Sequence, residues 1–240
     1  MSGNKPQIKA VLFDFMGTCL YWHTTIVQVL PKELTEDQKS HFALNWRQTY
    51  FDTNAARIRN NQPPEDIDET HRRTLDVMLD QHPDFKPFFT DAIRQEAIAA
   101  WHRQKAWSDV PEALRKIREE LGLEAFVHAN GTTRLQLDLV KYSGLQYDML
   151  FSSQLLGCYK PAPESYEKVL VMLKLKPEDC VMVAAHEYDL RGAREAGMKT
   201  VYIRRWTDDI HEDQGAIREA NDVYLEDMQG LHQAILELQG

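Results

Sequence analysis

Apolar residues along the 240-residue chain follow two patterns, and the change from one to the other divides the sequence. The first ordered run is Ile8 to Phe15, IKAVLFDF, a short apolar stretch that carries an aspartate near its end and is followed by Gly17 and Thr18. A continuous run of this kind suits a strand covered on both faces. From Leu20 to about Lys105 glycine all but disappears, Gln, Arg, His, Asp and Glu accumulate, and helical spacing shows in Phe42 to Tyr50 and in Ala92 to Trp101. This stretch reads as a helical insertion, broken at Pro63-Pro64 and His82-Pro83, where proline cannot continue a helix.

Beyond Trp107 apolar runs and helical stretches alternate. Ser108-Asp109 caps a predicted helix with Pro111 in its first turn, stopping at Gly122. Predicted strands follow at Ala125 to Ala129, Asp148 to Ser152, Cys180 to Ala185 and Val201 to Ile203, with an edge strand at Val223 to Leu225. The helices between and after them are predicted over Arg134 to Tyr142, Glu164 to Leu173, Asp189 to Ala196 and Gln229 to Leu238. Parallel strands need long crossovers, so the alternation predicts an α/β fold: a Rossmann-like parallel sheet with helices on both faces and an inserted α-helical cap. The core would comprise residues 1–19 and 106–240 and the cap residues 20–105. Ligands of such sheets sit beyond the carboxyl ends of the strands. That directs attention to Asp14 to Thr18, Asn130-Gly131, Ser152-Ser153 and His186 to Asp189, with the cap above them as a lid.

Lys plus Arg number 28 against 37 Asp plus Glu, and 28 − 37 = −9 argues against a nucleic-acid binder. It does not exclude an anionic substrate, since a pocket's field is set by the few charges lining it. The three cysteines, Cys19, Cys158 and Cys180, have neither metal-ligand nor CxxC spacing, which suits a reducing compartment. The beginning, MSGNKPQIK, lacks a signal-like apolar run, no stretch is long enough to span a bilayer, and the end, LHQAILELQG, carries no targeting tail. The expectation is a soluble cytoplasmic protein without membrane or nucleic-acid partners.

The candidate chemistry lies at the strand ends. Asp14-Phe15-Met16-Gly17-Thr18 places a carboxylate after a buried strand, a glycine where the backbone turns and a hydroxyl four residues on, so a substrate could meet Asp14 and the loop amides together. By itself the motif is more safely read as a turn with a helix cap. Asn130-Gly131-Thr132, Lys160-Pro161 and Asp189 follow in order. With all four segments at these separations, nearly the whole chain resembles the haloacid dehalogenase superfamily.

Within that superfamily the chain looks most like the L-2-haloacid dehalogenases, as a divergent subtype. Position sixteen holds Met16, where the superfamily's phosphatases carry a second aspartate as general acid. Trp46-Arg47-Gln48 resembles the segment holding the arginine that receives the halide. Tyr166 follows Lys160 by six residues as in the dehalogenase pattern, and VMVAAHEYDLRGAREAGMKTVYIRR resembles the segment supplying the late catalytic aspartate, here Asp189. Two serines of the described dehalogenases are replaced by Ala129 and Ala184, and an asparagine by His186.

The resemblance implies a hydrolase that needs no cofactor or metal and converts a small (S)-2-haloalkanoic acid to the 2-hydroxy acid through an aspartyl ester. Asp14 would be the nucleophile and Arg47 the halide acceptor. Lys160 and Asp189 would hold Asp14 ionised, since a lysine beside two carboxylates offsets their repulsion. His186 or Asp189 would activate water, an imidazole titrating near neutral pH. Phe15, Met16, Thr18, Asn130 and Tyr166 would contact the substrate, a small anionic organic acid, and family members often form homodimers. The rival readings are a related hydrolase or lyase using the same aspartate on a larger, non-halogenated metabolite, a magnesium-dependent phosphatase, and a non-catalytic binding protein.

Overall fold

The computed structural model describes residues 7–60, 62–63 and 65–239. Residues 1–6 of the N-terminal reading, Pro64 of the predicted break and the terminal Gly240 lie outside the described residues.

From β1 (Ala10–Phe13) the chain passes through a two-residue strand, β2 (Leu20–Tyr21), into helices α1 (Trp22–Val29), α2 (Glu36–Arg59), α3 (Ile67–Gln81) and α4 (Asp91–Ala100). It returns through β3 (Lys105–Ala106), which pairs antiparallel with β2. The remainder alternates α5 (Val110–Arg115), β4 (Glu124–Ala129), α6 (Thr133–Ser143), β5 (Met149–Ser152), α7 (Ser153–Leu156), α8 (Pro163–Leu173), β6 (Cys180–Ala184), α9 (Glu187–Glu195), β7 (Lys199–Ile203), α10 (Gln214–Ala220), β8 (Val223–Leu225) and α11 (Leu231–Leu238). Six strands form one sheet in the order β5-β4-β1-β6-β7-β8, every neighbouring pair parallel, as the alternation predicts.

The continuous apolar runs are explained by burial on two faces. Along β1, Val11 and Phe13 belong to one hydrophobic cluster while Ala10 and Leu12 belong to another. β6 divides the same way, with Val181 and Val183 on one side and Cys180, Met182 and Ala184 on the other. Successive side chains of a strand point to opposite faces, so a strand sandwiched between helices must be apolar at every position.

Two local features exceed the sequence reading. The helix read from Phe42 to Tyr50 extends over 24 residues as α2, because Thr35 caps it: its Oγ1 accepts from Gln38 N while Thr35 N donates to Gln38 Oε1. The β2–β3 ribbon, absent from the sequence reading, closes the base of the helical insertion. It is fastened by Trp107 Nε1 donating to the Gly17 carbonyl (2.8 Å) and by Arg205, which pairs with both oxygens of Asp109 and donates to the Thr18 carbonyl (3.1 Å). The Asp14–Thr18 loop and the insertion are thus anchored at one point.

All three cysteines are unpaired. No helix among the described residues is long and apolar enough to cross a membrane. The central position of β1 sets the expected mutational response. Leu12→Ala should cost roughly 2–5 kcal/mol in urea unfolding, whereas Val171→Ala, at a position 75% exposed, should change stability by no more than about 0.5 kcal/mol.

Candidate active site

The carboxyl ends of the parallel strands bring the chemistry together, as open α/β sheets do. Asp14 follows β1, Asn130 follows β4, His186 follows β6, and Lys160 lies between α7 and α8. The wholly buried Lys160 ammonium donates to Asp14 Oδ1 (3.0 Å), to the His128 carbonyl (2.6 Å) and to Asp189 Oδ2, which accounts for all three of its hydrogens. Its backbone is clamped as well. Asn130 Oδ1 accepts from Lys160 N (2.8 Å), and Asn130 Nδ2 donates to the Lys160 carbonyl (3.0 Å). Asp189 is closed from the other side by the Tyr166 hydroxyl at 2.7 Å. Tyr166 fits there because Gly192 has no Cβ, which would otherwise lie 2.7 Å from the hydroxyl.

The second oxygen of Asp14, Oδ2, accepts from Thr18 Oγ1 (2.7 Å) and from His186 Nδ1 (3.1 Å). The same Thr18 oxygen accepts from Ala185 N (2.8 Å), so the hydroxyl ties the motif loop to the end of β6. On its far side, His186 Nε2 meets Asp208 Oδ1 at 3.0 Å. Gly17, at φ +90°, is required twice. Its backbone conformation is unfavourable for other residues, and a Cβ would fall 2.5 Å from Asp208 Oδ1.

Burial alone would raise the Asp14 carboxyl, but the charge of Lys160 and the hydrogen bond and charge of His186 outweigh it. Asp14 is therefore held ionised well below the ordinary carboxylate range. Asp189 is shifted the opposite way, upward, by burial and by the neighbouring Asp14 charge, with Lys160 opposing. Burial disfavours a charged His186, yet the two carboxylates flanking it push its value up to about 10, so the resting imidazole carries both hydrogens.

A cavity of about 530 Å³ is lined by residues of α2 in the insertion and by Asp14, Asn130, Lys160, His186 and Asp208 of the remainder. Arg47 is buried without a carboxylate in hydrogen-bonding contact. Its guanidinium carbon stands 4.4 Å from the Phe51 ring centroid, 5.3 Å from Tyr50, 5.6 Å from Trp101 and 5.8 Å from Trp22, and one nitrogen donates to the Met16 carbonyl at 3.4 Å. Nε and Nη1 have no partner among the described residues. A buried cation held by aromatic faces, with two nitrogens unpartnered among the described residues, has donors that an anion could satisfy. His71, stacked between Trp101 and Tyr50 behind it, is kept neutral by burial and by the Arg47 charge.

The structure therefore gathers Asp14, Thr18, Asn130, Lys160, Tyr166, His186 and Asp189 into one hydrogen-bonded group and places Arg47 on the lining of the same cavity as Asp14. Met16 lines that cavity and Phe15 does not: the Phe15 ring is buried edge-on against Tyr147. Thr18 and Tyr166 lie behind the wall, with their hydroxyls spent on Asp14 and Asp189. Of the two alanines at the resembled serine positions, Ala129 lines the cavity while Ala184 packs into the core. Asp208, with its supports Trp22 and Thr207, was missed by the sequence reading. Its signal was its place just after β7, another carboxyl end of the sheet. Among the described residues no group of three or more His, Cys, Asp or Glu side chains is placed to hold a metal ion.

The model of the haloacid dehalogenase-like hydrolase family matches residues 8–197. The chain belongs to this family. The hydrolase is 26% identical over 216 residues to an (S)-2-haloacid dehalogenase of Pseudomonas sp. strain YL, covering 87% of each chain. A crystal structure of an L-2-haloacid dehalogenase superposes with a TM-score of 0.79 at 31% identity, covering 94% of this chain and 98% of that one. The hydrolase is also 26% identical over 162 residues to a glyceraldehyde 3-phosphate phosphatase of Pyrococcus furiosus, covering 59% of this chain and 66% of the relative. The resemblance to a divergent L-2-haloacid dehalogenase thus holds at the level of family and fold.

The doubly held imidazolium has a measurable consequence. A raised folded-state value stabilises the fold fully below the ordinary 6.5 and loses that contribution as pH rises toward about 10. Unfolding free energies from urea titrations should therefore fall across this window in the wild type, and His186→Gln should flatten the fall.

Proposed function

We propose that this hydrolase is a cofactor-independent dehalogenase of small (S)-2-haloalkanoic acids, with residues 20–105 acting as a cap over the core. One observation carries the reading: an ionised Asp14 and the buried Arg47, two of whose nitrogens have no partner among the described residues, line the same cavity. An SN2 displacement needs these two parts on opposite sides of the reacting carbon.

Asp14 attacks C2, the carbon–halogen bond breaks, and the halide leaves with the bonding pair toward Arg47. The product of this step is an ester of Asp14. Lys160 keeps the attacking oxygen ionised and oriented, and the loss of charge on Asp14 loosens the hold on the His186 Nδ1 hydrogen, which departs to solvent. Water then attacks the ester carbonyl and gives its proton to His186. The imidazolium protonates the leaving alkoxide, and the regenerated Asp14 carboxyl returns its proton to His186. The sum is haloacid plus water giving hydroxy acid, halide and one proton. His186 suits the water step better than Asp189, because it lines the cavity while both Asp189 oxygens are engaged by Lys160 and Tyr166.

Two features bear on the rivals. Met16 cannot serve as the general acid of a phosphatase, and its sulfur accepts from Gln104 Nε2 at 3.3 Å. The cavity's size and the apolar Leu44, Ile58 and Ile210 on its lining favour larger or non-halogenated acids as the second reading.

Purified protein should release halide from (S)-2-chloropropionate and not from the R form, without added metal. Asp14→Asn should release none, and Arg47→Met should lower kcat by roughly 10²–10³-fold, the scale for removing a charge-stabilising donor. Magnesium-dependent phosphate release from an aryl phosphate, without halide release from any 2-haloacid, would overturn the reading. Light scattering checks the homodimer that the family implies.

A further inference from the structure

The loop after β7 carries a carboxylate that the displacement does not use. Asp208 is 4% exposed and held at both oxygens by donors from separate parts of the fold. Oδ1 meets His186 Nε2, and Oδ2 accepts from Trp22 Nε1 at 3.2 Å and from Thr207 Oγ1 at 2.6 Å. Gly17 leaves the space that this carboxylate occupies. A buried carboxylate fixed by three donors, one of them an imidazole reaching the nucleophile, is a built feature of the site rather than a solvated loop residue.

We propose that Asp208 is a positioning residue for ester hydrolysis: it keeps a hydrogen on His186 Nε2, so that Nδ1, facing Asp14, is the nitrogen that exchanges a proton with the hydrolytic water. The inference rests on the dehalogenase reading above. In the resting site His186 lies between two carboxylates, Asp14 and Asp208, in a line of hydrogen bonds. Alkylation turns Asp14 into a neutral ester and leaves Asp208 charged. The hydrogen facing Asp208 still pairs with an anion, so the hydrogen that leaves is the one on Nδ1. The resulting neutral tautomer has its lone pair at the ester, and Asp208 stabilises the imidazolium that reforms when water gives up its proton.

The other groups around His186 do not compete for this role. Asp209, on the same loop, acts on it through charge while its own Oδ2 accepts from Glu187 N at 2.7 Å. From α9, Tyr188 is kept protonated by burial and by the Asp14 and Asp189 charges. From α2, the Phe51 ring packs on the imidazole at 5.2 Å, and the Arg47 charge acts on Asp208. Lys160 acts on Asp14, on the opposite side of the nucleophile from His186.

The test is single-turnover kinetics of Asp208→Asn with (S)-2-chloropropionate, following halide and hydroxy acid separately and weighing the Asp14 peptide. The expected result is a burst of one halide per site at a rate within several-fold of wild type, then hydrolysis slowed by about 10²-fold or more, with alkylated Asp14 peptide accumulating. Trp22→Phe, which removes one support of Asp208 but not its charge, should slow the same step by a smaller factor and stands in if Asp208→Asn does not fold. Histidine ¹⁵N NMR of the full chain should show the His186 imidazolium losing a hydrogen at lower pH in Asp208→Asn than in wild type, and losing it from Nε2, since Nδ1 still faces the Asp14 carboxylate. Ester hydrolysis at the wild-type rate, or halide release and hydrolysis falling by the same factor, would overturn the proposal. Should the wild type release no halide, the dehalogenase reading fails, and the NMR comparison decides the role of Asp208 alone: an unchanged His186 titration overturns it.

Discussion

A lysine ammonium with no contact to solvent is tolerable only where anions and carbonyls satisfy every hydrogen it carries, and Lys160 is such a group. Much of the site can be read as support for that one buried charge. Asn130 clamps its backbone, the end of β4 supplies a carbonyl, Tyr166 closes the far oxygen of Asp189, and Gly192 makes room for Tyr166. The return on this arrangement is an ionised Asp14 at a place where burial alone would protonate it. Removing either carboxylate would leave the lysine underpaired, and removing the lysine would leave two neighbouring buried carboxylates without the cation they share.

The two oxygens of Asp14 are served from different sides. Lys160 grips Oδ1 from the sheet, while Thr18 and His186 grip Oδ2 from the loops. The helical insertion adds the remaining cation in a different way, since Arg47 is balanced by aromatic rings rather than by a carboxylate in contact. This difference matters for anion capture: an arginine already paired to a carboxylate would have no free donor to offer. Family membership is established by the match over residues 8–197. The choice of carbon–halogen bond is a reading of this geometry, strengthened by the haloacid dehalogenases among its relatives.

Legibility in the sequence followed physical lines. β1 and β6 were readable because strands covered on both faces leave no polar positions to blur them. The position of Asp14 followed from its place at a strand end, and the resemblance supplied Lys160 and Asp189. The full length of α2 was obscured because its inward face carries Arg47 and Asn54 among aromatics, which breaks the usual apolar stripe. The β2–β3 ribbon is two residues per strand, too short for any periodicity. Thr18 and Tyr166 were read as substrate contacts, yet their partners, Ala185 and Asp189, are brought to them only by the sheet. Asp208 escaped because the strand end after Ile203 had no recognised motif. Its importance lies in an imidazole contributed by the neighbouring strand end.

The central claim is that Asp14 forms an ester whose carbonyl, not the substrate carbon, is attacked by water. Single turnover in heavy-oxygen water, followed by mass analysis of the Asp14-containing peptide, tests it directly. The account predicts label in that peptide and unlabelled hydroxy acid from the first turnover; an unlabelled peptide with labelled product would contradict it.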